Sequence, residues 1–187
     1  MHVIKFPGKF FALCLELACG KGEYARALAE RDPDRNYIGI DIKGARIWKG
    51  AKIALEKKID NIRFLRMQID HLDEYFASGE VDEIWITFPD PYLRKSKSSK
   101  RLTSPKFLDI YKKILKPGGL IHLKTDSEPL FRFTKETLRD TGCKTVDLVE
   151  DVYKERPDDE LLTIQTFYEK QHLEKGKTIR YVCFKLN

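Results

Sequence analysis

The stretch ALCLELACGKGEYARALAER, Ala12 to Arg31, decides the fold class. It opens with an apolar run of strand length, Ala12 to Leu17, and continues after a loop with apolar side chains at helical spacing from Glu23 to Arg31. The loop contains Gly20 and Gly22, which allow the backbone to approach a ligand beside the unpaired first amides of the helix. This order predicts the first unit of an α/β sheet, with a ligand site at the glycine loop.

The same alternation continues through the rest of the chain. Further strands are predicted at Tyr37–Ile40, Ile62–Met67, Glu83–Thr87, Leu120–Lys124, Lys144–Val149 and Ile179–Phe184. Short connections between strands and helices predict a doubly wound, mostly parallel sheet. No helix of crossover length is found between the last two strands, which predicts an antiparallel, hairpin-like ending. With no linker or repeat in its 187 residues, the chain is expected to form one domain, 1–187.

Composition excludes several classes of protein. Hydrophobic residues make up 42% of the chain, enough for a core and too many for a disordered protein. No run approaches the roughly twenty apolar residues of a membrane span, and the opening MHVIKFPGKFF lacks the pattern of an export signal. A cytoplasmic protein is therefore expected. Four Cys and four His at scattered positions predict no metal site. The net charge of +6 becomes informative only where the cations are clustered.

Carboxylates at the predicted strand ends are candidates for binding a cofactor. Asp41 follows the second strand, where it would accept hydrogen bonds from ribose hydroxyls, and Asp70 follows the third, where it would accept from an adenine amine. The spelling Gly20-x-Gly22-x-x-Ala25 also fits a dinucleotide loop, so NAD stays an alternative. Glu16, at the end of the first strand, favours S-adenosylmethionine, because a carboxylate attracts a cationic amino group and sulfonium but repels a pyrophosphate.

The loop after the fourth strand combines a rigid acid with a basic run. Pro89 and Pro91 restrict the backbone on either side of Asp90, which suits the recognition of a planar, amide-rich base. Five cations and no acid follow within eight residues: Arg94, Lys95, Lys97, Lys100 and Arg101. Such a run is usually a solvated, flexible loop, but beside a ligand site it would bind phosphates.

On these motifs the chain resembles the tRNA (guanine-N7-)-methyltransferase family. The resemblance covers nearly the whole chain, and its most diagnostic segment is FPDPYLRKSKSSKRL, Phe88 to Leu102. The cofactor motif resembles Glu16 to Gly22, and a late Thr-x-x-Glu element resembles Thr166 to Glu169. The family implies a Rossmann-like class I methyltransferase fold of seven strands, mostly parallel, with an antiparallel C-terminal strand. It also implies S-adenosylmethionine as methyl donor and tRNA as partner.

The resemblance assigns roles to residues one by one. It implies Asp90 as the catalytic position, in contact with the cofactor as well, and a guanine of the tRNA variable loop as the target. Substrate contacts are implied for Arg94, Asp126, Thr166, Phe167, Tyr168 and Glu169. Guanine N7 has an in-plane lone pair, so no strong base is needed, and Asp90 or Asp126 would accept the N–H donors of the base. An NAD-dependent oxidoreductase and a catalytically silent RNA-binding relative remain alternatives, and the oligomeric state, monomer or homodimer, is open.

Overall fold

A computed structural model describes residues 12–187. The segment 1–11, on which the expectation about export rests, lies outside the described residues. The strands are β1 Leu13–Leu17, β2 Asn36–Asp41, β3 Ile62–Arg66, β4 Val81–Thr87, β5 Leu115–Thr125, β6 Lys144–Val149 and β7 Arg180–Lys185. The α-helices are α1 Glu23–Arg31, α2 Gly44–Glu56, α3 Leu72–Tyr75, α4 Pro105–Ile114, α5 Glu128–Asp140, α6 Val152–Glu155 and α7 Phe167–Glu174. Two 3₁₀ turns lie at Ile69–His71 and Lys95–Lys100.

All seven strands form one sheet in the order β3-β2-β1-β4-β5-β7-β6. The pairs from β3 to β5 are parallel, while β7 is antiparallel to both of its neighbours. The prediction of a mostly parallel, doubly wound sheet with an antiparallel C-terminal strand is therefore confirmed. The chain order reverses at β1, where β2 and β4 pair on either side. Ligands bind such sheets beyond the carboxyl ends of the strands at this switch point.

Burial explains why the central strands consist of nearly unbroken apolar runs. Every residue of β1 is buried, as expected for a parallel strand covered on both faces. On α1 the residues that face the sheet are Tyr24, Ala25, Leu28 and Ala29, at the helical spacing of the sequence. The largest core cluster joins β1, β4 and β5 to α4 and α5. These layers fix the carboxyl edge of the sheet, where the candidate site lies.

The end of the chain differs from the expected hairpin. β6 and β7 are antiparallel neighbours as predicted, and β7 lies between β5 and β6. The residues between them include α6 and α7 instead of a tight turn. Because α6 and α7 have only four and eight residues, their periodic signal is too short to read from the sequence.

Two further observations concern residues 12–187. None of their helices is long and apolar enough to cross a membrane. Within the same range no group of three or more His, Cys, Asp or Glu side chains is arranged to hold a metal ion.

Candidate active site

The glycine loop after β1 turns through three residues with left-handed backbone. Ala18, Gly20 and Gly22 have φ values of 56°, 59° and 60°. A Cβ at Gly22 would lie 2.3 Å from the Phe64 ring, so this position needs glycine for space as well as conformation. A Cβ at Gly20 meets no atom within 4 Å, which leaves open space beside the loop. Asp41 holds the loop from behind, because its Oδ2 accepts from the Gly20 amide at 2.8 Å.

A cleft of about 80 Å³ opens at this loop and is called the glycine-loop cleft below. Its walls come from the loop, from the end of β4 and from the start of α7. The lining residues are Glu16, Ala18, Cys19, Gly20, Lys21, Glu23, Arg46, Thr87, Phe88, Thr166, Phe167 and Tyr168. The structure therefore brings the predicted cofactor loop and most of the predicted Thr166–Glu169 element to one site.

A larger open groove, of about 390 Å³, lies at the opposite end of the sheet. Asn36 and Asn61, at and just before the amino ends of β2 and β3, are among its lining residues. Because ligand sites in doubly wound sheets lie beyond the carboxyl ends, the smaller glycine-loop cleft is the candidate active site.

Glu16 is the buried carboxylate of the cleft. The residue is only 2% exposed, and its two oxygens accept from the Ala25 amide at 2.9 Å and from the Thr87 hydroxyl at 2.8 Å. Burial raises the pKa of Glu16 to about 7 despite these hydrogen bonds. Within residues 12–187 no Lys, Arg or His nitrogen lies at ion-pair distance from it. A cationic group entering the cleft would therefore stabilise the charged carboxylate.

The Thr166–Glu169 element is divided between the surface and the interior. Thr166 caps α7 by accepting from the Glu169 amide at 3.2 Å, whereas Phe167 and Tyr168 are about half exposed at the mouth of the cleft. The Phe167 amide donates to Glu23 at 2.7 Å, which ties the start of α7 to the start of α1. Lys21 lies over the Phe167 ring, with its Nζ 5.2 Å from the centroid. The two aromatic rings are thus held at the rim.

Glu169, implied by the resemblance as a substrate contact, is buried in the structure. It is completely buried and pairs with the equally buried Lys124, with 2.7 Å between Oε1 and Nζ. Tyr153 donates to the same oxygen at 2.8 Å, and Lys124 also donates to the Ile164 carbonyl at 3.0 Å. Burial opposes both charges, lowering the pKa of Lys124 and raising the pKa of Glu169. The ion pair between Glu169 and Lys124 therefore joins α7 to β5.

The loop after β4 has a strained backbone and is held by hydrogen bonds from Arg101. Phe88 and Tyr92, on either side of Pro89-Asp90-Pro91, have φ values of 48° and 41°, which non-glycine residues rarely adopt. The Arg101 guanidinium donates to the Pro91 carbonyl at 3.1 Å and to the Tyr92 carbonyl at 2.9 Å. Such backbone strain persists only where surrounding contacts hold it. Arg101 supplies those contacts.

Arg101 therefore differs from the expected phosphate contact. It is only 8% exposed, and its guanidinium carbon lies 4.3 Å from the centre of the Phe133 ring. With its donors directed at loop carbonyls, it is placed to hold the loop rather than to bind RNA. The preceding residues, Lys95–Lys100, form a 3₁₀ turn.

The other four cations of the run face solvent. Arg94, Lys95, Lys97 and Lys100 are exposed, and among residues 12–187 none of them pairs with a carboxylate. Asp90 is exposed as well, and its carboxylate has no hydrogen-bond partner in the described part of the chain. The loop after β4 therefore presents one carboxylate and four cations to solvent, and none of them is paired within residues 12–187.

Two other predicted acids are already engaged by lysines. Asp70 is exposed and pairs with Lys106 at the start of α4, outside the cleft lining. Asp126, after β5, accepts from Lys177 at 2.5 Å and lies 3.4 Å from the His172 ring nitrogen. The structure brings neither into the glycine-loop cleft.

Three lining residues lie outside the motifs found in the sequence: Glu23, Arg46 and Thr87. Thr87 ends β4 and Glu23 begins α1, so the rule that sites follow strand ends would have found both. Arg46 reaches the cleft from α2, where its guanidinium lies 3.4 Å from the Tyr168 hydroxyl. No local signal marks that contact.

Comparison with known proteins agrees with this geometry. A family model described as a putative methyltransferase matches residues 11–182. Among solved structures, the 16S rRNA methyltransferase KamB superposes with a TM-score of 0.69 at 14% identity, covering 94% of this chain and 88% of its own. A SAM-dependent methyltransferase from Aquifex aeolicus superposes with a TM-score of 0.64 at 16% identity, covering 96% and 85%. The fold and the site thus define a Rossmann-like methyltransferase, and the oxidoreductase alternative is wrong.

Curated relatives show which family of methyltransferases the chain belongs to. A tRNA (guanine-N(7)-)-methyltransferase of Christiangramia forsetii is 51% identical over 175 residues, which cover 93% of this chain and 78% of that protein. The protein of the same name from Porphyromonas gingivalis is 50% identical, with 93% and 71% covered. The chain belongs to the tRNA (guanine-N(7)-)-methyltransferase family.

Proposed function

We propose that this protein transfers a methyl group from S-adenosylmethionine to N7 of a guanine in the variable loop of tRNA. The observation that carries the proposal is the glycine-loop cleft, in a chain half identical to proteins named for this reaction. The proposed enzyme acts as a single domain in the cytoplasm.

The cleft suits the methyl donor. S-adenosylmethionine supplies an electrophilic methyl group on a sulfonium and carries a cationic amino group. Glu16 offers a buried carboxylate without a cationic partner among residues 12–187, and Gly20 leaves open space above the loop. Asp41 fixes that loop through the Gly20 amide, and its oxygens keep lone pairs for ribose hydroxyls. Asp70 would accept a hydrogen bond from the adenine amine once its ion pair with Lys106 is broken.

Asp90 is the proposed catalytic residue. Guanine N7 attacks with its own lone pair, so the protein has to align the base and stabilise the positive charge that develops on its ring. The Asp90 carboxylate, without a partner in the described residues, is available to accept the N1–H and amino donors of guanine. Asp126 has the same chemistry but is held by Lys177, which favours Asp90.

The remaining assignments concern tRNA. Guanine N7 in an A-form helix lies in a groove too deep and narrow for a loop to enter, so the target base must be unpaired or extruded. Phe167 and Tyr168 offer exposed rings at the cleft mouth for such a base. Arg94, Lys95, Lys97 and Lys100 are proposed to bind phosphates beside it.

Nucleoside mass spectrometry of unmodified tRNA, incubated with the protein and S-adenosylmethionine, tests the proposal. We expect N7-methylguanosine; its absence would favour the catalytically silent relative. Asp90→Asn removes the charge that stabilises the cationic base. It should lower single-turnover methyl transfer by on the order of a hundredfold, as when one electrostatic interaction with a transition state is removed.

Asp126→Asn is the matched control, because it makes the same change beside the same cleft. If Asp126→Asn abolishes transfer while Asp90→Asn stays near wild type, the guanine-holding acid follows β5 and the assignment of Asp90 fails.

A further inference from the structure

The outer face of α2 combines cations with an exposed tryptophan. Four cations recur at every third position, Lys43, Arg46, Lys49 and Lys52, and no acid occurs from Ile42 to Leu55. Trp48 is 66% exposed, with the Lys52 ammonium 5.6 Å from its ring centre. Among residues 12–187, Lys43 and Lys49 pair with no carboxylate, and Lys52 reaches only Glu56, at 3.7 Å. This surface is called the α2 face below.

The α2 face is fixed relative to the candidate active site. A Cβ at Gly50 would lie 2.3 Å from the Lys21 carbonyl, so the backbone of α2 packs directly on the glycine loop. Arg46, at one margin of the helix, lines the cleft beside Tyr168. Arg46 therefore links the mouth of the cleft to the cations of α2.

The sheet order separates this surface from the basic run after β4. α2 follows β2, and β2 and β4 lie on opposite sides of β1. Two cationic surfaces thus flank the glycine-loop cleft from opposite sides. A polyanion bound at the cleft would have a cationic surface on either side of it.

We propose that the α2 face is a second RNA-contact surface, on which Lys43, Lys49 and Lys52 bind phosphates and Trp48 stacks on an unpaired base of the same tRNA. The proposal rests on the proposed function. Proteins that bind single-stranded nucleic acid combine cations, which contact the phosphates, with aromatic rings, on which the bases stack. A second copy of this chain fits the face less well, because a twofold contact would bring two such cationic surfaces together.

Tryptophan fluorescence tests the stacking directly. The chain has two tryptophans, and Trp85 is buried, 2% exposed and stacked on His122. Quenching by acrylamide therefore reports on Trp48, and bound tRNA should protect it. Trp48→Ala should weaken tRNA binding on the order of tenfold, while Trp48→Phe, which keeps an aromatic ring, should lose less. Full access of acrylamide to Trp48 in the tRNA complex would refute the stacking.

Salt dependence tests the binding of phosphates. Replacing Lys43, Lys49 and Lys52 by Gln should flatten the log–log salt dependence of tRNA affinity by about 0.7–0.9 for each phosphate that is no longer bound. Affinity for S-adenosylmethionine should not change, since none of the three lines the cleft. The matched control replaces Lys112, Arg139 and Lys144 by Gln, the same change in charge on exposed positions away from α2. This control should keep the wild-type slope.

The outcomes separate the two proposals. An unchanged affinity and slope in the α2 triple variant, in a protein that methylates tRNA, would overturn the α2 contact alone. Failure of the wild-type protein to bind tRNA would overturn both. If sedimentation shows a dimer that Trp48→Ala dissociates while tRNA affinity stays unchanged, the face belongs to self-association and the RNA contact is refuted.

Discussion

Replacing Glu16 by Gln should stabilise the protein and weaken the binding of the methyl donor at the same time. The folded protein favours protonated Glu16, because burial raises its pKa from 4.5 to about 7. Stability contributed by this group is therefore fully present below pH 4.5 and lost as the pH rises to 7 and above. At 1.36 kcal/mol per unit of pKa, the charged carboxylate costs the fold about 3 kcal/mol at pH 8.

The Gln side chain can keep both hydrogen bonds. Its oxygen would accept from the Ala25 amide, and its NH₂ group would donate to the Thr87 hydroxyl, which is free to turn and accept. The variant therefore imitates the protonated form without a cavity. The quantity to compare is the free energy of unfolding of the variant minus that of the wild type. This difference should be about 2–3 kcal/mol larger at pH 8 than at pH 5.

Ligand binding should change in the opposite direction. Calorimetric titration of the wild type should give weaker S-adenosylmethionine binding as the pH falls through about 7, because protonation removes the charge that faces the cationic ligand. Glu16→Gln should bind about tenfold or more weakly at pH 8, since a hydrogen bond to a charged group is worth roughly 1.5–3 kcal/mol. The variant should also lose this pH dependence.

Urea unfolding at pH 5 and pH 8, on wild type and variant together, is the stability assay. Taking the difference between the two proteins cancels the titration of every other group. Glu23→Gln is the control, because it removes a charge from the same cleft and leaves the buried carboxylate in place. A stability difference between Glu16→Gln and wild type that is the same at both pH values would refute the reasoning.

Three further predictions concern the loops around the cleft. Arg101→Lys should lower the free energy of unfolding by about 2 kcal/mol in a urea titration, because Lys lacks the planar fork of donors with which the guanidinium contacts the Pro91 and Tyr92 carbonyls. The salt dependence of tRNA binding should stay as in wild type. The reverse pattern would make Arg101 a phosphate contact. Neutralising Lys95, Lys97 and Lys100 should flatten that salt dependence without changing stability or methyl-donor affinity, and an identical slope would make the run a solvated surface. Ala18→Gly should raise the free energy of unfolding by up to about 1 kcal/mol, and with it the melting temperature, because Ala18 has a left-handed φ of 56° that glycine adopts more easily. A fall in melting temperature would contradict the assigned strain.

The fold could be predicted because its signals are local. The apolar run of β1, the glycine loop and the spacing on α1 are adjacent in the chain, and together they specify a strand, a tight turn and a helix. The parallel order follows from the regular alternation of strands and helices. The position of β7 between β5 and β6 could not be read in this way, because strand order at the end of a sheet depends on which edges pair.

The site was predicted in part for the same reason. Glu16 and Gly20 line the cleft because they occupy a local motif. Arg101 was predicted to bind phosphate as part of the basic run, and Glu169 to contact the substrate because the family resemblance implies it. Their burial depends on Phe133 and Lys124, which are distant in the sequence and meet them only in the folded chain. Sequence spacing carries no signal for such contacts.

The position of β7 has a consequence for synthesis of the protein. One edge of β5 pairs with β4, and its other edge pairs with β7, which is made about sixty residues later. Until β7 emerges from the ribosome, this edge of β5 is unpaired. Lys177, the partner of Asp126, is added to the chain just before β7. An unpaired strand edge is a place where nascent chains associate wrongly. The carboxyl end of β5, beside the cleft, is therefore completed only after β7 has been made, and the unpaired edge before that is the part of the sheet most exposed to wrong association.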